Sequence, residues 1–168
     1  EKKAVKKEEK EDKKARDIKV VNIVVSTSLE QDIPLEKMAA TLSNTEYNPE
    51  QFPGLVIRIK EPKTSALIFS SWNVVCTGAR SIEKVEESIS KIIKSLEKIG
   101  IKIKIKPKIN IQNIVASGSV GMDLNLNVLA MKLGNTEYEP EQFTGLVYKL
   151  DEAKATFLLF SNGKVVCT

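Results

Sequence analysis

"NTEYNPEQFPGL", residues 44–55, and "NTEYEPEQFTGL", residues 135–146, are nearly the same twelve residues written twice, 91 positions apart. The duplication extends well beyond them. At the fixed offset of 91, residues 20–77 align with 111–168 without a gap, and 29 of 58 positions are identical. Asn22 falls on Asn113, Tyr47 on Tyr138, Phe52 on Phe143, Phe69 on Phe160 and Cys76 on Cys167. Two copies, rather than many, argue for a pseudo-twofold molecule and against a solenoid.

Each copy has the same order of elements. A strand comes first, "VVNIVVSTS" or "IQNIVASGS". A short helix follows, with Leu35, Met38, Ala39 and Leu42 at i, i+3, i+4 and i+7, and Leu126, Leu129, Ala130 and Leu133 repeating the spacing. Pro34 suits the first turn of the first of these helices. Three short strands close each copy: "GLVIRI", "SALIFS" and "VVCT", matched by "GLVYKL", "TFLLF" and "VVCT". The turn "SNGK" at 161–164 carries Asn-Gly, a strong hairpin signal, whereas its counterpart "SSWN" lacks the glycine.

Only the first copy continues into a long helix. Ile82, Val85, Ile89, Ile92, Ile93, Leu96 and Ile99 form one apolar stripe, Ser81 can cap its start and Gly100 can end it. "IKIKIKPK" then alternates as an extended edge segment does and links the halves. The expected organisation is a charged tail at 1–17, a first repeat with linker at 18–108 and a second repeat at 109–168. The tail holds eight Lys/Arg and six Asp/Glu and almost nothing apolar, so it reads as disordered. The fold class is α+β, each half a curved antiparallel sheet with helices on one face.

That arrangement raises a problem. In "ALIFS", Leu67 and Phe69 point one way while Ala66 and Ile68 point the other; in "VVCT", Val75 and Thr77 oppose Val74 and Cys76. Both faces are largely apolar, yet helices can cover only one. Either a second layer exists or one face is a binding surface. Phe52, Phe69, Phe143 and Phe160 are therefore either core residues, the usual fate of a strand phenylalanine, or an exposed aromatic set, and their two-by-two placement under the repeat stands against the core reading.

Composition narrows the chemistry. The net charge of +4 permits a polyanionic partner without demanding one. The chain has no histidine and two cysteines without metal-ligand spacing, so we expect no metal, no cofactor and no enzyme activity. Phosphate-cradling and nucleophile motifs are absent; "ASGSVG" at 116–121 follows a strand but leads into a loop. No apolar run suits a membrane span or a signal peptide, and a reducing cytoplasmic setting is the simplest expectation.

"VVNIVVST", "EYNPEQFPGLVIRI", "EPKTSALIFSS", "VVCTGARS" and "IQNIVAS" closely resemble the archaeal TATA-box-binding protein family, over about residues 18–168. The resemblance implies a saddle whose concave sheet lies in the minor groove of double-stranded DNA at the TATA box. It implies that Phe52 and Phe69 in one half, and Phe143 and Phe160 in the other, wedge into base steps. It places Asn22 and Asn113 at the centre of the groove, and Val24, Leu67, Val75, Thr77, Val115, Leu158, Val166 and Thr168 on its floor. Arg58, Lys149 and Lys164 match phosphate-facing positions. Glu139 and Glu141 match the loop presented to transcription factor B, through which RNA polymerase is engaged indirectly. The implied function is a general transcription factor, acting at the nucleoid of an archaeal cell.

The chain departs from the family pattern in three places. "SSWN" stands where "SSGK" is usual, which removes a lysine at Asn73; Thr144 replaces a common proline; and the family's last helix does not follow Thr168. The last departure leads to the expectation that 1–168 is a fragment, less stable than a longer chain or prone to self-association. Two rival readings are an accessory nucleic-acid-binding module of an enzyme, and a homodimer that hides its apolar face against itself.

Overall fold

The computed structural model describes residues 17–168; the charged stretch 1–16 lies outside the described residues. Two compact units emerge, Val21–Ile114 and Val115–Thr168, the latter together with the start of the described chain up to Val20.

In the first unit the elements run β1 (Lys19–Ser28), α1 (Leu35–Thr41), β2 (Thr45–Glu46), β3 (Gly54–Ile59), β4 (Thr64–Phe69), β5 (Asn73–Ala79) and α2 (Ile82–Lys98). The strands are antiparallel in the spatial order β2-β3-β4-β5-β1. The second copy repeats this with β6 (Asn110–Ser119), α3 (Leu126–Lys132), β7 (Thr136–Glu137), β8 (Leu146–Leu150), β9 (Ala155–Leu159) and β10 (Lys164–Cys167), ordered β6-β10-β9-β8-β7. A 3-10 turn, Asp151–Ala153, joins β8 to β9. The two-residue strands β2 and β7 are additions to the expected set.

Alternation decides which side chains are buried in the first unit. Ile23 and Val25 of β1, Leu55 and Ile57 of β3, Ala66 and Ile68 of β4, and Val74 and Cys76 of β5 all face one side and are buried there. The helices cover that side. α2 contributes Val85, Ile89, Ile92 and Leu96, and α1 contributes Leu35 and Met38. Each such side chain contributes about 1.5–3 kcal/mol as an upper figure. Ile82 is exposed and Ile93 only half-buried, so the expected stripe is narrower at its margins.

The ends of α2 are set as its sequence implies. The Ser81 side chain accepts the Lys84 backbone N–H at 3.3 Å. Gly100 adopts φ 88°, and the Ile101 N–H reaches back to the Leu96 carbonyl at 3.0 Å, closing the helix. Ser88, fully buried, donates to the Lys84 carbonyl at 2.8 Å and meets Thr64 Oγ1 at 2.9 Å, so the one polar group on this helix face is satisfied. Pro34 sits at the cap of α1 rather than within its first turn. The Ile/Lys segment 101–108 forms no strand; Ile101 is buried, Ile103 packs against the core and the lysines are exposed, so its alternation reflects packing against the core.

Candidate nucleic-acid interface

The other face of each sheet carries the candidate residues. In the first unit, cross-strand register sets Val56, Leu67, Val75 and Ser26 in one row, and Arg58, Ser65 and Thr77 in the next. Asn22 and Val24 lie on the same face of β1, between the buried positions. All but the exposed Arg58 are half-exposed, and no helix of this unit covers them. In the second copy, Val147, Leu158 and Val166 form the matching row, with Ser117 beside Val166. Val115 is half-exposed, and Asn113 and Thr168 are exposed.

The phenylalanines are not core residues. Phe52 and Phe143 are each 41% exposed, and Phe69 and Phe160 are half-buried on the face away from the helices. Each pair meets edge to face, with ring centroids 5.8 Å apart at 66° for Phe52–Phe69 and 5.9 Å apart at 73° for Phe143–Phe160. A glycine makes each contact possible. A Cβ at Gly54 would come within 2.7 Å of Phe52 Cε1 and 3.0 Å of Phe69 Cε1; at Gly145 it would meet Phe143 at 2.7 Å and Phe160 at 3.0 Å. The repeated "F-x-G-L" is thus a requirement of the ring pair. In each copy a turn delivers the first ring: Asn48 and Glu139 accept through their carbonyls from the N–H groups of Phe52 and Phe143, both at 2.9 Å.

Asn22 is held with one end fixed. Its Oδ1 accepts the Gly78 N–H at 2.7 Å and lies 3.2 Å from Thr77 Oγ1, which also lies 3.2 Å from Nδ2. A backbone donor can only face the carbonyl end of the amide, so Nδ2 is left to donate. A groove lined by acceptors is the partner such a group suits.

The cations at the outer rows are already engaged. Arg58 makes a two-pronged contact with Glu46, Nε to Oε1 at 3.2 Å and Nη2 to Oε2 at 3.1 Å. Lys149 Nζ reaches Glu137 Oε1 at 2.6 Å. The Arg58 hydrogen bond and charge hold the Glu46 carboxyl below its usual range, and Glu137 likewise raises Lys149. All four groups are exposed, so a phosphate can take over either cation in exchange. Lys164 is exposed on β10, and Glu139 and Glu141 are exposed in the turn before Phe143.

The structure brings the candidate floor and wedge residues of each copy onto one face, and sets Glu139 and Glu141 on a turn at its edge. Val56 and Val147 belong to this face but were not among the expected residues. The signal was available, because each stands two positions before a candidate cation on the same strand. Among the described residues no group of acids, cysteines or histidines is placed to hold a metal, and no helix is long and apolar enough to cross a membrane.

Comparison with known proteins bears on the family and the fold. The family model described as "Transcription factor TFIID (or TATA-binding protein, TBP)" matches residues 17–99 and 108–168. The TATA-box-binding protein of Archaeoglobus fulgidus is 50% identical over 153 residues, covering 90% of this chain and 84% of the relative. That of Methanocaldococcus jannaschii is 53% identical over 152 residues, covering 90% and 83%. The solved structure described as "Methanococcus jannaschii TBP" superimposes with a TM-score of 0.83 at 53% identity, over 89% of this chain and 86% of that one.

Proposed function

Because the chain belongs to the TATA-box-binding protein family, a family of non-enzymatic general transcription factors, we propose that it binds the TATA-box minor groove, bends the DNA there and nucleates assembly with transcription factor B. One observation carries this reading: two phenylalanine pairs, each exposed on the sheet face away from its helices and each held over a glycine.

The physical steps follow from that face. An apolar surface flanked by cations matches a groove whose walls are sugars and whose rims are phosphates. Asn22 and Asn113 donate to adenine N3 and thymine O2, where a guanine amino group would intrude, so A·T pairs are preferred. Val24, Val75, Val115 and Val166 exclude water from the groove floor, with Leu67, Leu158, Thr77 and Thr168 beside them. Phe52 with Phe69, and Phe143 with Phe160, replace base-base stacking at the steps they enter, and the kinked duplex then meets more of the sheet. Pyrimidine–purine steps unstack most readily, which adds selectivity without a base-specific hydrogen bond. Arg58, Lys149 and Lys164 take phosphates. Glu139 and Glu141, exposed at the edge, are offered to transcription factor B, and RNA polymerase joins through that factor. The setting is chromosomal DNA in the cytoplasm of an archaeal cell.

The experiment is a gel shift and an end-to-end energy-transfer measurement on an A·T-rich promoter duplex, with and without transcription factor B. Phe69→Ala or Phe160→Ala is expected to cut affinity by roughly tenfold or more and to relax the bend, with native-like melting. Charge reversal at Glu139 and Glu141 is expected to spare DNA binding and to lose the supershift. An unchanged bend in both alanine variants would overturn the wedge assignment, and a surviving supershift would overturn the loop assignment.

A further inference from the structure

Position for position, the two faces carry almost the same residues, and they differ most at the hairpin beside the outer phenylalanine. In the first unit Ile68 pairs with Val74, so the next pair across the strands is Phe69 and Asn73. In the second copy Phe160 donates its N–H to the Lys164 carbonyl at 3.0 Å, so Lys164 stands across from Phe160. A cation therefore flanks one outer ring and an amide flanks the other. The preceding residue differs too, Gly163 in the second copy and Trp72 in the first.

Both residues lie in the left-handed region, Gly163 at φ 78° and Trp72 at φ 62°. Both accept the equivalent backbone hydrogen bond through their carbonyls, from the N–H of Val120 and of Leu29, each at 2.9 Å. The surroundings are not equivalent. A Cβ at Gly163 would lie 2.2 Å from the Met122 carbonyl oxygen, so no side chain fits there. The first hairpin admits an indole and leaves it 44% exposed. A bulky residue in this backbone region is strained where glycine would not be, and such strain concentrates at binding sites. An exposed indole held in strain, in the hairpin between Phe69 and Asn73, where the second copy has a cation instead of the amide, is what a stacking contact requires.

We propose that Trp72 is a DNA-anchoring residue, resting on the function proposed above: its indole packs on the nucleotide next to the step entered by Phe69 and stands in for the missing phosphate contact at position 73. The two ends of the bound site are then held by different physics. The Lys164 end is electrostatic and weakens with salt. The Trp72 end is a stacking contact and is nearly indifferent to it.

Trp72 is the single tryptophan of the chain, so its emission reports this contact directly. The test titrates the full chain with an A·T-rich duplex, following emission and acrylamide quenching. At saturation, confirmed independently by gel shift, the emission is expected to be quenched and shielded from acrylamide. Trp72→Gly is expected to bind roughly tenfold more weakly while melting no lower than the parent chain, since glycine relieves the strained backbone. Adding Asn73→Lys to that variant is expected to recover affinity at low salt and to steepen the log–log salt dependence by about 0.9. An indole that stays equally accessible at saturation overturns the inference, as does a Trp72→Gly chain that binds like the parent. A parent chain that does not shift the duplex at all overturns the proposed function first, and this inference with it.

Discussion

Ile57 and Ala66 in the first copy correspond to Tyr148 and Phe157 in the second, yet the first two are 1% exposed and the second two are half-exposed. The strands carrying them have the same register, with Ile57 opposite Ala66 and Tyr148 opposite Phe157. The difference is in what lies over them. In the first unit α2 packs on the sheet and buries Val85, Ile89, Ile92 and Leu96 against it. Among the described residues the second copy has no helix in that role, and Tyr148 and Phe157 stack on each other with centroids 6.2 Å apart. Among large apolar side chains, two matched pairs stay buried in both copies, Leu35 with Leu126 on the short helix and Leu55 with Leu146 on the strand. Alternation thus decides which face a side chain joins, and a covering layer decides whether that face is a core.

The sharpest test uses one matched pair. Ile68 is fully buried, and its counterpart Leu159 is half-exposed. Ile68→Ala is expected to cost about 2–5 kcal/mol, through lost burial and a cavity. Leu159→Ala is expected to cost less than about 1.5 kcal/mol, because much of its side chain is already in water. Urea titration of both variants measures the gap. Equal losses would mean that the face bearing Leu159 is covered in solution.

This contrast also marks what could be read in advance. The centre of the α2 apolar stripe, its Ser81 cap and the glycine that ends it follow from spacing and residue type and are found as expected, while Ile82 and Ile93 at the margins are not buried. The strands of both copies follow from alternation. The side bearing the core does not, because Val24, Leu67 and Val75 are as apolar as Val25, Ile68 and Val74; only the packed helices separate the two faces. β2 and β7 escaped notice because two residues carry no period. The reason for Gly54 and Gly145 is not legible in the sequence either, since a glycine before a strand reads first as a turn and not as the space between two rings.

A smaller effect is expected at the hairpin corners. Gly163→Ala forces a left-handed alanine whose Cβ meets the Met122 carbonyl oxygen, a backbone atom that cannot swing aside. The expected cost is about 1–3 kcal/mol, whereas the matching change in the first copy, Trp72→Ala, removes exposed surface and leaves the backbone strain unchanged. Thermal melts of the two variants decide it. A Gly163→Ala chain as stable as the parent would show that the loop over the second hairpin yields, and that the two corners are alike after all.

The smallest effect concerns the two cysteines, which occupy matched positions on opposite sides of the same comparison. Cys76 is buried beneath the helices, and burial pushes its thiol from 9.0 up to about 11. Cys167 is half-exposed, in a groove of about 130 Å³ lined also by Phe157 and Val165. Cys167 should therefore react with a thiol reagent in the native state, and Cys76 only on unfolding. The pH dependence has a definite sign. Above pH 9 the unfolded chain releases the Cys76 proton while the folded chain retains it, so stability falls as pH rises toward 11. Between pH 8 and pH 10 the loss attributable to this thiol is about 1 kcal/mol. Cys76→Ala should flatten the stability profile over that range by this amount, whatever its cost at neutral pH. If the slope is the same with and without Cys76, the thiol is not desolvated as the fold requires, and the first copy is less tightly covered than its packing implies.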